Sequence, residues 1–306
     1  MLQHTLSKSY TFEGKGLHTG QTAKMTVSPA PEHSGIRFRR TDLGEDVWID
    51  ALADRVTSTA RSTRIADGDA AVNTVEHLVS ALTGMGIDNA RIDIDGPEVP
   101  ILDGSARLYA EAVAADGTVA QQAERNYLTV HTPVEVRDEK TGSWVRIEPA
   151  DRPSYEVTVD FGSKVLGVQS ARWDEDMDYA SEIGVCRTFV FFHEIEYLFA
   201  NNLIKGGDVD NAIVIVEHPV SEEQLDRMSV SMGLPKLSVV GNGYLDNLRL
   251  HFDNECGRHK LLDLVGDLRL AGGFLRAKVT AYKPGHTINN LAARAVLAQV
   301  REAQTQ

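Results

Sequence analysis

The chain contains few cysteines. The two that it has, Cys186 and Cys256, are far apart and outside any Cys-x-x-Cys spacing. This scarcity argues against a disulfide framework or a thiolate zinc site and favours a reducing compartment. The sequence also lacks the roughly 18 to 20 consecutive apolar residues of a membrane span, and its start lacks the apolar core of a signal peptide. We therefore expect a cytoplasmic protein without a transmembrane segment.

An excess of basic residues is missing too. The sequence has 31 Lys and Arg residues against 44 Asp and Glu residues, which gives a net charge of −13 at pH 7. Binding to a phosphate backbone depends on clustered Lys and Arg, so a nucleic-acid partner is not expected. An anionic small molecule would need a local group of cations to hold it against this overall charge.

The hydrophobic pattern predicts an α+β fold in two similar halves. The first half reads as short strands, a helix at 74–83, a strand and a helix at 105–116, and the second repeats strands before a helix near 258–270 and a final strand. The length of 306 residues is also natural for two domains. We predict domains at 1–124 and 125–306, each a β-sheet layer packed on α-helices, with the site in the cleft between them.

Four stretches depart from this plan. Residues 117–126 carry little apolar periodicity and are predicted to be a short polar linker. Residues 41–65 resemble an inserted strand-rich element, and residues 194–216 predict a helix, a Gly-Gly turn and a buried strand. Residues 217–247 show no clear periodicity, and a loop of that length is usually functional or mobile.

The helix NTVEHLVSAL carries two residues suited to catalysis. Its apolar stripe consists of Val75, Leu78, Val79 and Leu82. His77 then falls nearly opposite this stripe, pointing away from the core, with Glu76 beside it. The alternatives are a capping box formed by Asn73 and Glu76, and a solvated surface histidine at 77.

The segment RHKLLDLVGDLRL presents a polar column. Its apolar stripe consists of Leu261, Leu264, Val265 and Leu268. His259, Asp263 and Asp267 share the facing side at i, i+4 and i+8. Histidine and carboxylate one turn apart can bind a single ion. A catalytic zinc usually has three protein ligands, and His77 is the best remaining candidate for the third. An ordinary surface pair of His259 and Asp263 is the alternative.

Two loop residues add to this set. His286 lies in a Pro-Gly turn after a strand, and Thr188 places a hydroxyl beside aromatic residues. Loops at strand ends often carry reactive side chains. Taken singly, His286 could be a turn histidine and Thr188 an ordinary strand residue.

Over nearly its whole length the chain resembles the zinc-dependent UDP-3-O-acyl-N-acetylglucosamine deacetylases of lipid A biosynthesis. The resemblance rests on the segments TVEHLVSALTGMGIDN, DGSA, RTFVFFHEIEYL, NLIKGGDVDNAIV, RHKLLDLVGDL and YKPGHTINN. It implies that the metal ligands are His77, His259 and Asp263. It further implies Glu76 as general base, His286 as general acid, Asp267 as the carboxylate that orients His286, and Thr188 as a donor to the oxyanion.

The resemblance also implies substrate contacts. Lys260 would lie near the sugar or the phosphates. The aromatic and aliphatic positions of the second insert would form a passage for the fatty acyl chain, although they could equally be core residues. The substrate-binding positions implied in this way are Phe189, Phe191, Ile195, Ile204, Gly207 and Val214.

The activity implied is hydrolysis of the N-acetyl group of UDP-3-O-(3-hydroxyacyl)-N-acetylglucosamine, with release of acetate, the committed step of lipid A biosynthesis. Zinc is the expected ion, and ferrous iron is an alternative for ligands of this kind. In some bacteria the enzyme is fused to a hydroxyacyl-carrier-protein dehydratase. Two rival hypotheses remain open: a metal-dependent deacetylase of another acetylated amino sugar, and a non-catalytic sugar-nucleotide-binding half of a fusion protein.

Overall fold

A computed structural model describes residues 1–44, 46–200, 205–207, 210–232 and 236–305. It confirms the predicted α+β class, with helices and two large mixed sheets. Ile204, predicted to line the acyl passage, lies outside the described residues. No helix in the described part of the chain combines the length and the apolar character that crossing a membrane requires.

The strands and helices have the following bounds. The strands are β1 (Leu2–Leu6), β2 (Tyr10–Lys15), β3 (Thr22–Pro29), β4 (Ile36–Arg40), β5 (Trp48–Asp50), β6 (Val56–Ser58), β7 (Arg64–Asp67), β8 (Ala70–Val72), β9 (Ala90–Ile94), β10 (Thr118–Glu124), β11 (Tyr127–Thr129), β12 (Val134–Asp138), β13 (Ser143–Pro149), β14 (Ser154–Asp160), β15 (Val168–Asp174), β16 (Phe189–Phe191), β17 (Ile213–Ile215) and β18 (Phe274–Tyr282). The α-helices are α1 (Glu76–Gly84), α2 (Arg107–Asp116), α3 (Phe192–Ala200), α4 (Glu222–Met232), α5 (Glu255–Arg269) and α6 (His286–Thr305).

The two large sheets have the same topology. The first has the order β2-β3-β9-β4-β5, and the second has the order β12-β13-β18-β14-β15, with β11 also pairing with β18. In each sheet the last strand in sequence lies between two hairpins, antiparallel to one neighbour and parallel to the other. The prediction of two similar halves is therefore confirmed at the level of strand order and direction.

One hydrophobic core joins the two halves. It includes Phe38 and Ile92 from the first sheet, Leu264 from α5, and Val157 and Val279 from the second sheet. Helices α1 and α5 pack against each other, and α5 also packs on β14, β15 and α6. Apolar burial of this kind contributes roughly 25 cal/mol for each Å² removed from water, so the shared core ties the helices into one layer.

The closest approach of the two helices depends on Gly266. A Cβ built at Gly266 would lie 2.2 Å from the main-chain oxygen of Glu76. Only a residue without a side chain therefore lets α5 lie against the first turn of α1. A second close approach involves Gly84, the last residue of α1. A Cβ built at Gly84 would lie 2.0 Å from the Cγ atom of the Tyr179 ring.

The three predicted helices in the two halves are confirmed, with shifted ends. The predicted linker at 117–126 is wrong, because Thr118–Glu124 forms β10, which pairs antiparallel with β1. Its side chains are mostly exposed, so apolar alternation is absent although the backbone is fully extended. The boundary between the domains stays a prediction.

The inserts also have defined structure. The stretch 41–65 contains β5 and leads into a three-stranded sheet of β6, β7 and β8, as predicted for a strand-rich element. The second insert, predicted at 194–216, contains most of the helix α3 and the buried strand β17, which pairs parallel with β16 just before the insert. Residues 217–247, which show no periodicity in the sequence, contain the helix α4.

Replacing Gly266 by Ala should destabilise the protein, because the added methyl group must push α5 away from the Glu76 carbonyl. We expect a loss of about 1–3 kcal/mol in the free energy of unfolding, the usual effect of overpacking a close contact. Urea denaturation measures it. The matched control is Gly241→Ala, where nothing lies within 4 Å of the added Cβ. Equal stability of the two variants would contradict the proposed closeness of the helices.

Candidate active site

The first turn of α1 places Glu76 and His77 inside the protein. Glu76 is 2% exposed and His77 is 5% exposed, because the face of α1 opposite its apolar stripe packs against α5. His77 is therefore buried and does not face solvent, so the alternative of a solvated surface histidine is wrong. The capping-box alternative is wrong as well, since the Asn73 amide donates to the carbonyl of Pro97 and α1 has no side-chain cap.

His77, His259 and Asp263 converge. The His77 Nε2 atom lies 3.6 Å from Asp263 Oδ1, and the His259 Nε2 atom lies 3.5 Å from the same oxygen. One potential ligand atom from each residue lies within 4.8 Å of the others, and all three residues are buried. The structure thus brings together one residue from the first half of the chain and two from the second.

These three residues fit a divalent cation. Metal–ligand bonds of about 2.0–2.2 Å in a tetrahedral site separate neighbouring donors by about 3.3–3.6 Å. Asp263 Oδ1 is buried and has no hydrogen-bond partner among the described residues, whereas buried carboxylate oxygens normally have one. An oxygen left without a donor between two imidazole nitrogens is the arrangement expected of a ligand oxygen.

The imidazole of His259 is held in the form that binds metals. Its Nδ1 atom lies 3.1 Å from the carbonyl oxygen of Cys186, so Nδ1 carries the proton and donates it. Burial lowers the pKa of His259 to about 3, which keeps the ring neutral. Its Nε2 atom therefore carries no proton, and the lone pair of this nitrogen is available on the side where Asp263 lies.

A second group of titratable side chains lies beside the first. His286, the first residue of α6, donates from Nδ1 to Asp267 Oδ2 at 2.9 Å. Its Nε2 atom lies 3.7 Å from Glu76 Oε1. The prediction that Asp267 pairs with His286 therefore agrees with their positions, and the i+4 spacing on α5 places Asp267 one turn beyond Asp263.

Burial and charge shift both groups of this pair. Burial raises the pKa of Glu76 to about 7, against the opposing effects of His286 and His77. Burial lowers the pKa of His286, but the carboxylates of Asp267 and Glu76 outweigh it and raise that pKa to about 9. Between these values the carboxyl group is ionised while the imidazole is protonated, which is the state that a base and an acid need in order to act together.

Lys260 is adjacent to the same group. Its Nζ atom donates to Asp263 Oδ2 at 2.9 Å and lies 5.5 Å from the centre of the Phe189 ring. Burial by itself raises the pKa of Asp263, but the Lys260 ammonium group opposes it, and that pKa lies well below its usual value. The ion pair therefore keeps Asp263 anionic, as a ligand carboxylate must be.

The remaining predicted residues fall into two groups. Thr188 lines the same small cavity as the ligand residues. Phe189, Phe191, Ile195, Gly207 and Val214 do not line it. Ile195 and Val214 belong to the buried cluster of the second insert, and Phe189 and Phe191 pack beside a neighbouring cluster. The cavity, of about 30 Å³, is lined by Leu17, His18, Arg61, Ser62, Thr74, Glu76, His77, Thr188, His259, Lys260, Asp263 and His286.

Sequence patterns do not point to several residues that complete the site. Thr63 donates to both Glu76 and Asp267, and Asn289 donates to Asp267. Asn289 follows His286 by three residues, so its helical spacing is a signal that could have found it. Thr63 offers no such signal, because its partners come from three other segments.

The loop across the cavity is held by another carboxylate. Glu98, 1% exposed, accepts hydrogen bonds from the main-chain N–H of His18 at 3.0 Å and of Thr19 at 2.8 Å. It also accepts the hydroxyl of Thr74 at 2.7 Å. Thr74 has φ +58°, an unusual backbone conformation for a β-branched residue, just before α1 begins. Glu98 thus connects the loop to the start of the helix that carries Glu76 and His77.

The fold and the site together define a class. Two imidazoles and a carboxylate that fit one cation, with a second carboxylate and a second imidazole beside them, are typical of metal-dependent hydrolases.

Comparison with known proteins identifies the family. The family described as UDP-3-O-acyl N-acetylglycosamine deacetylase matches residues 3–230 and 234–298. A bifunctional enzyme LpxC/FabZ of Porphyromonas gingivalis is 42% identical over 99% of this chain, and a UDP-3-O-acyl-N-acetylglucosamine deacetylase of Anaeromyxobacter is 41% identical over 97% of it. The deacetylase of the same name from Trichormus variabilis is 38% identical over 97% of this chain and 99% of its own length. This chain belongs to the UDP-3-O-acyl N-acetylglycosamine deacetylase family.

The chain does not span every relative. It covers 66% of the length of the bifunctional Porphyromonas protein, and 62% of a bifunctional relative from Chlorobaculum tepidum. It covers 88% of the Anaeromyxobacter deacetylase.

A buried ion pair supports the segment that carries Cys186 and Thr188. Arg187 Nε donates to Glu255 Oε1 at 2.9 Å, and the two side chains are 8% and 0% exposed. Replacing Arg187 by Met leaves the Glu255 carboxylate buried without its cation, so we expect a loss of about 3–5 kcal/mol in the free energy of unfolding. Urea denaturation measures it, with the exposed Arg152→Met as control. An unchanged midpoint for Arg187→Met would contradict the structural role of the pair.

Proposed function

We propose that this chain catalyses hydrolysis of the N-acetyl group of UDP-3-O-(3-hydroxyacyl)-N-acetylglucosamine, with release of acetate. The observation that carries the proposal is the position of the His77, His259 and Asp263 triad directly beside Glu76 and His286. Membership of the deacetylase family supports the substrate. The step is the committed one of lipid A biosynthesis, and its location in the cytoplasm stays a prediction.

In this proposal His77, His259 and Asp263 hold a zinc ion, with ferrous iron as an alternative occupant. When bound, the ion supplies Lewis acidity, which polarises the amide carbonyl and makes a neighbouring water easier to deprotonate. His259 contributes a neutral ring because its Nδ1 proton is held by the Cys186 carbonyl. Lys260 keeps Asp263 anionic and lies where it could attract the sugar or the diphosphate.

Glu76 and His286 move the protons. Glu76, through Oε1, takes the proton of the attacking water, since its other oxygen already accepts the main-chain N–H of Thr63 at 3.1 Å. His286, through Nε2, donates a proton to the amine as the C–N bond breaks, while Asp267 holds Nδ1. The Thr188 hydroxyl lines the cavity and would donate to the oxyanion of the tetrahedral intermediate.

The acyl passage and the fusion remain finer proposals. The apolar residues of the second insert would receive the 3-hydroxyacyl chain. In support, β16 begins directly after Thr188, and the main-chain N–H of Ile213 in β17 donates to the Thr188 carbonyl at 2.8 Å. The bifunctional relatives support fusion of this domain to a second enzyme, which we propose to be a hydroxyacyl-carrier-protein dehydratase. A deacetylase of another amino sugar would keep the same ligands, and equal activity on a substrate lacking the 3-O-acyl chain would favour it.

Acetate release should depend on zinc. Protein stripped of metal is expected to release no acetate from the acylated UDP-sugar, and one equivalent of zinc should restore the reaction.

Glu76→Gln should still bind one equivalent of zinc but lose most of its turnover, about 100-fold or more for the loss of a general base. The exposed Glu111→Gln serves as control. Folded, zinc-loaded protein that releases no acetate would favour the sugar-nucleotide-binding alternative.

The dependence of kcat/KM on pH should be bell-shaped. Activity rises as Glu76 loses its proton, with a limb at or below about 7, and falls as His286 loses its proton, with a limb at or below about 9. A nearby divalent cation favours the deprotonated form of both groups, so it moves both limbs to lower pH. His286→Gln should lose the falling limb and keep the rising one, with His131→Gln as a control that keeps both. A falling limb that survives in His286→Gln would contradict the role of His286.

A further inference from the structure

Thr63 contacts both halves of the catalytic pair. It lies directly before β7, in the first insert, and its side chain is fully buried at 0% exposure. Its neighbours come from α1 and from the α5–α6 region, so it bridges the two halves of the chain. Thr63 has no titratable group, so its role at this place must come from the hydrogen bonds of its hydroxyl and its main chain.

Every polar group of Thr63 is used. Its main-chain N–H donates to Glu76 Oε2 at 3.1 Å, and its carbonyl accepts the N–H of Val75 at 3.3 Å. Its hydroxyl donates to Asp267 Oδ1 at 2.6 Å. The hydroxyl also lies 3.4 Å from His286 Nδ1. Four hydrogen-bonding contacts of one residue thus reach the base, the start of the helix that carries the base, the carboxylate that holds the acid, and the acid itself.

The hydroxyl determines how Asp267 is presented. Asp267 is 0% exposed, and its Oδ2 atom accepts both His286 Nδ1 at 2.9 Å and Asn289 Nδ2 at 2.9 Å. With Thr63 on Oδ1, the carboxylate cannot rotate without breaking a hydrogen bond on each oxygen. Asp267 thereby holds the Nδ1 atom of His286, whose Nε2 atom faces Glu76 Oε1.

The main-chain N–H does the same for the base. A carboxylate has two equivalent oxygens, and the contact with Thr63 occupies one of them. Oε1 is left to face His286 Nε2, at 3.7 Å. A single residue therefore sets the separation of the two proton-transferring atoms, which is the kind of pre-organisation that limits misalignment during catalysis.

We propose that Thr63 is a positioning residue for the deacetylation. It holds Glu76 through its main-chain N–H, and it holds His286 through its hydroxyl, both by way of Asp267 and by the direct contact with Nδ1. The inference rests on the proposed function, since it takes Glu76 and His286 as base and acid. It does not assign Thr63 a contact with substrate.

The hydroxyl is tested by Thr63→Val, which keeps the shape and the main-chain N–H but removes the donor. Thr63→Ser restores the donor. We expect Thr63→Val to lower kcat by about 10- to 100-fold, the usual effect of losing an outer hydrogen-bond partner, with KM changed less than about twofold. Thr63→Ser should recover most of kcat. The matched control is Thr83→Val, a buried threonine whose hydroxyl donates to the carbonyl of Val79 in its own helix.

A second measurement needs no turnover. In protein labelled with ¹⁵N-histidine, the Nδ1–H signal of His286, assigned by its absence in His286→Gln, should be protected from solvent exchange in the parent and in Thr63→Ser. It should exchange faster in Thr63→Val and stay unchanged in Thr83→Val.

Parent-like kcat and exchange in Thr63→Val would overturn the proposal, as would a Thr63→Ser variant as slow as Thr63→Val. A parent that releases no acetate contradicts the proposed function instead, while the exchange measurement still decides whether Thr63 holds His286.

Discussion

The site depends on the close packing of α1 against α5. Because Gly266 has no side chain, the backbone of α5 lies against the carbonyl of Glu76, and the polar faces of the two helices meet. His77 on one helix then faces His259 and Asp263 on the other. Moving the helices apart by the width of a methyl group would separate the three proposed ligands by more than the tolerance of a metal–ligand bond.

The polar face shared by the helices is also an electrostatic problem. The carboxylates of Glu76, Asp263 and Asp267 are all nearly or fully buried. Lys260 and protonated His286 are the cations within ion-pair distance of them. Because burying an unpaired charge costs free energy, a buried site with a surplus of negative charge favours the binding of a divalent cation. Burial, more than the neighbouring carboxylates, is the reason that Glu76 holds its proton more tightly than a solvated glutamate.

The helical parts of the site could be predicted from periodicity, whereas their surroundings could not. The i, i+4, i+8 column of His259, Asp263 and Asp267 follows from 3.6 residues per turn and is found on one face of α5. The same reasoning put His77 opposite the apolar stripe but could not say that a second helix would cover it, because helix pairing is a long-range property. Strand β10 could not be predicted, because its exposed residues show no apolar alternation. Thr63 could not be predicted either, because a single hydroxyl in an insert belongs to no periodic pattern. The roles of the residues came from the resemblance of whole segments, and Ile204 lies outside the described residues.

The placement of the final strand in each large sheet bears on the order in which the protein forms. β9 and β18 are the last strands of their sheets to be synthesised, yet each lies at the centre, between two hairpins. Until it inserts, the inner edges of those hairpins have unpaired main-chain groups, and such long-range pairing is slow to form. His286 follows β18 after only three residues. His286, the proposed acid, is therefore expected to reach its place only after β18 has paired with its neighbours, so the site forms late in the folding of the second sheet.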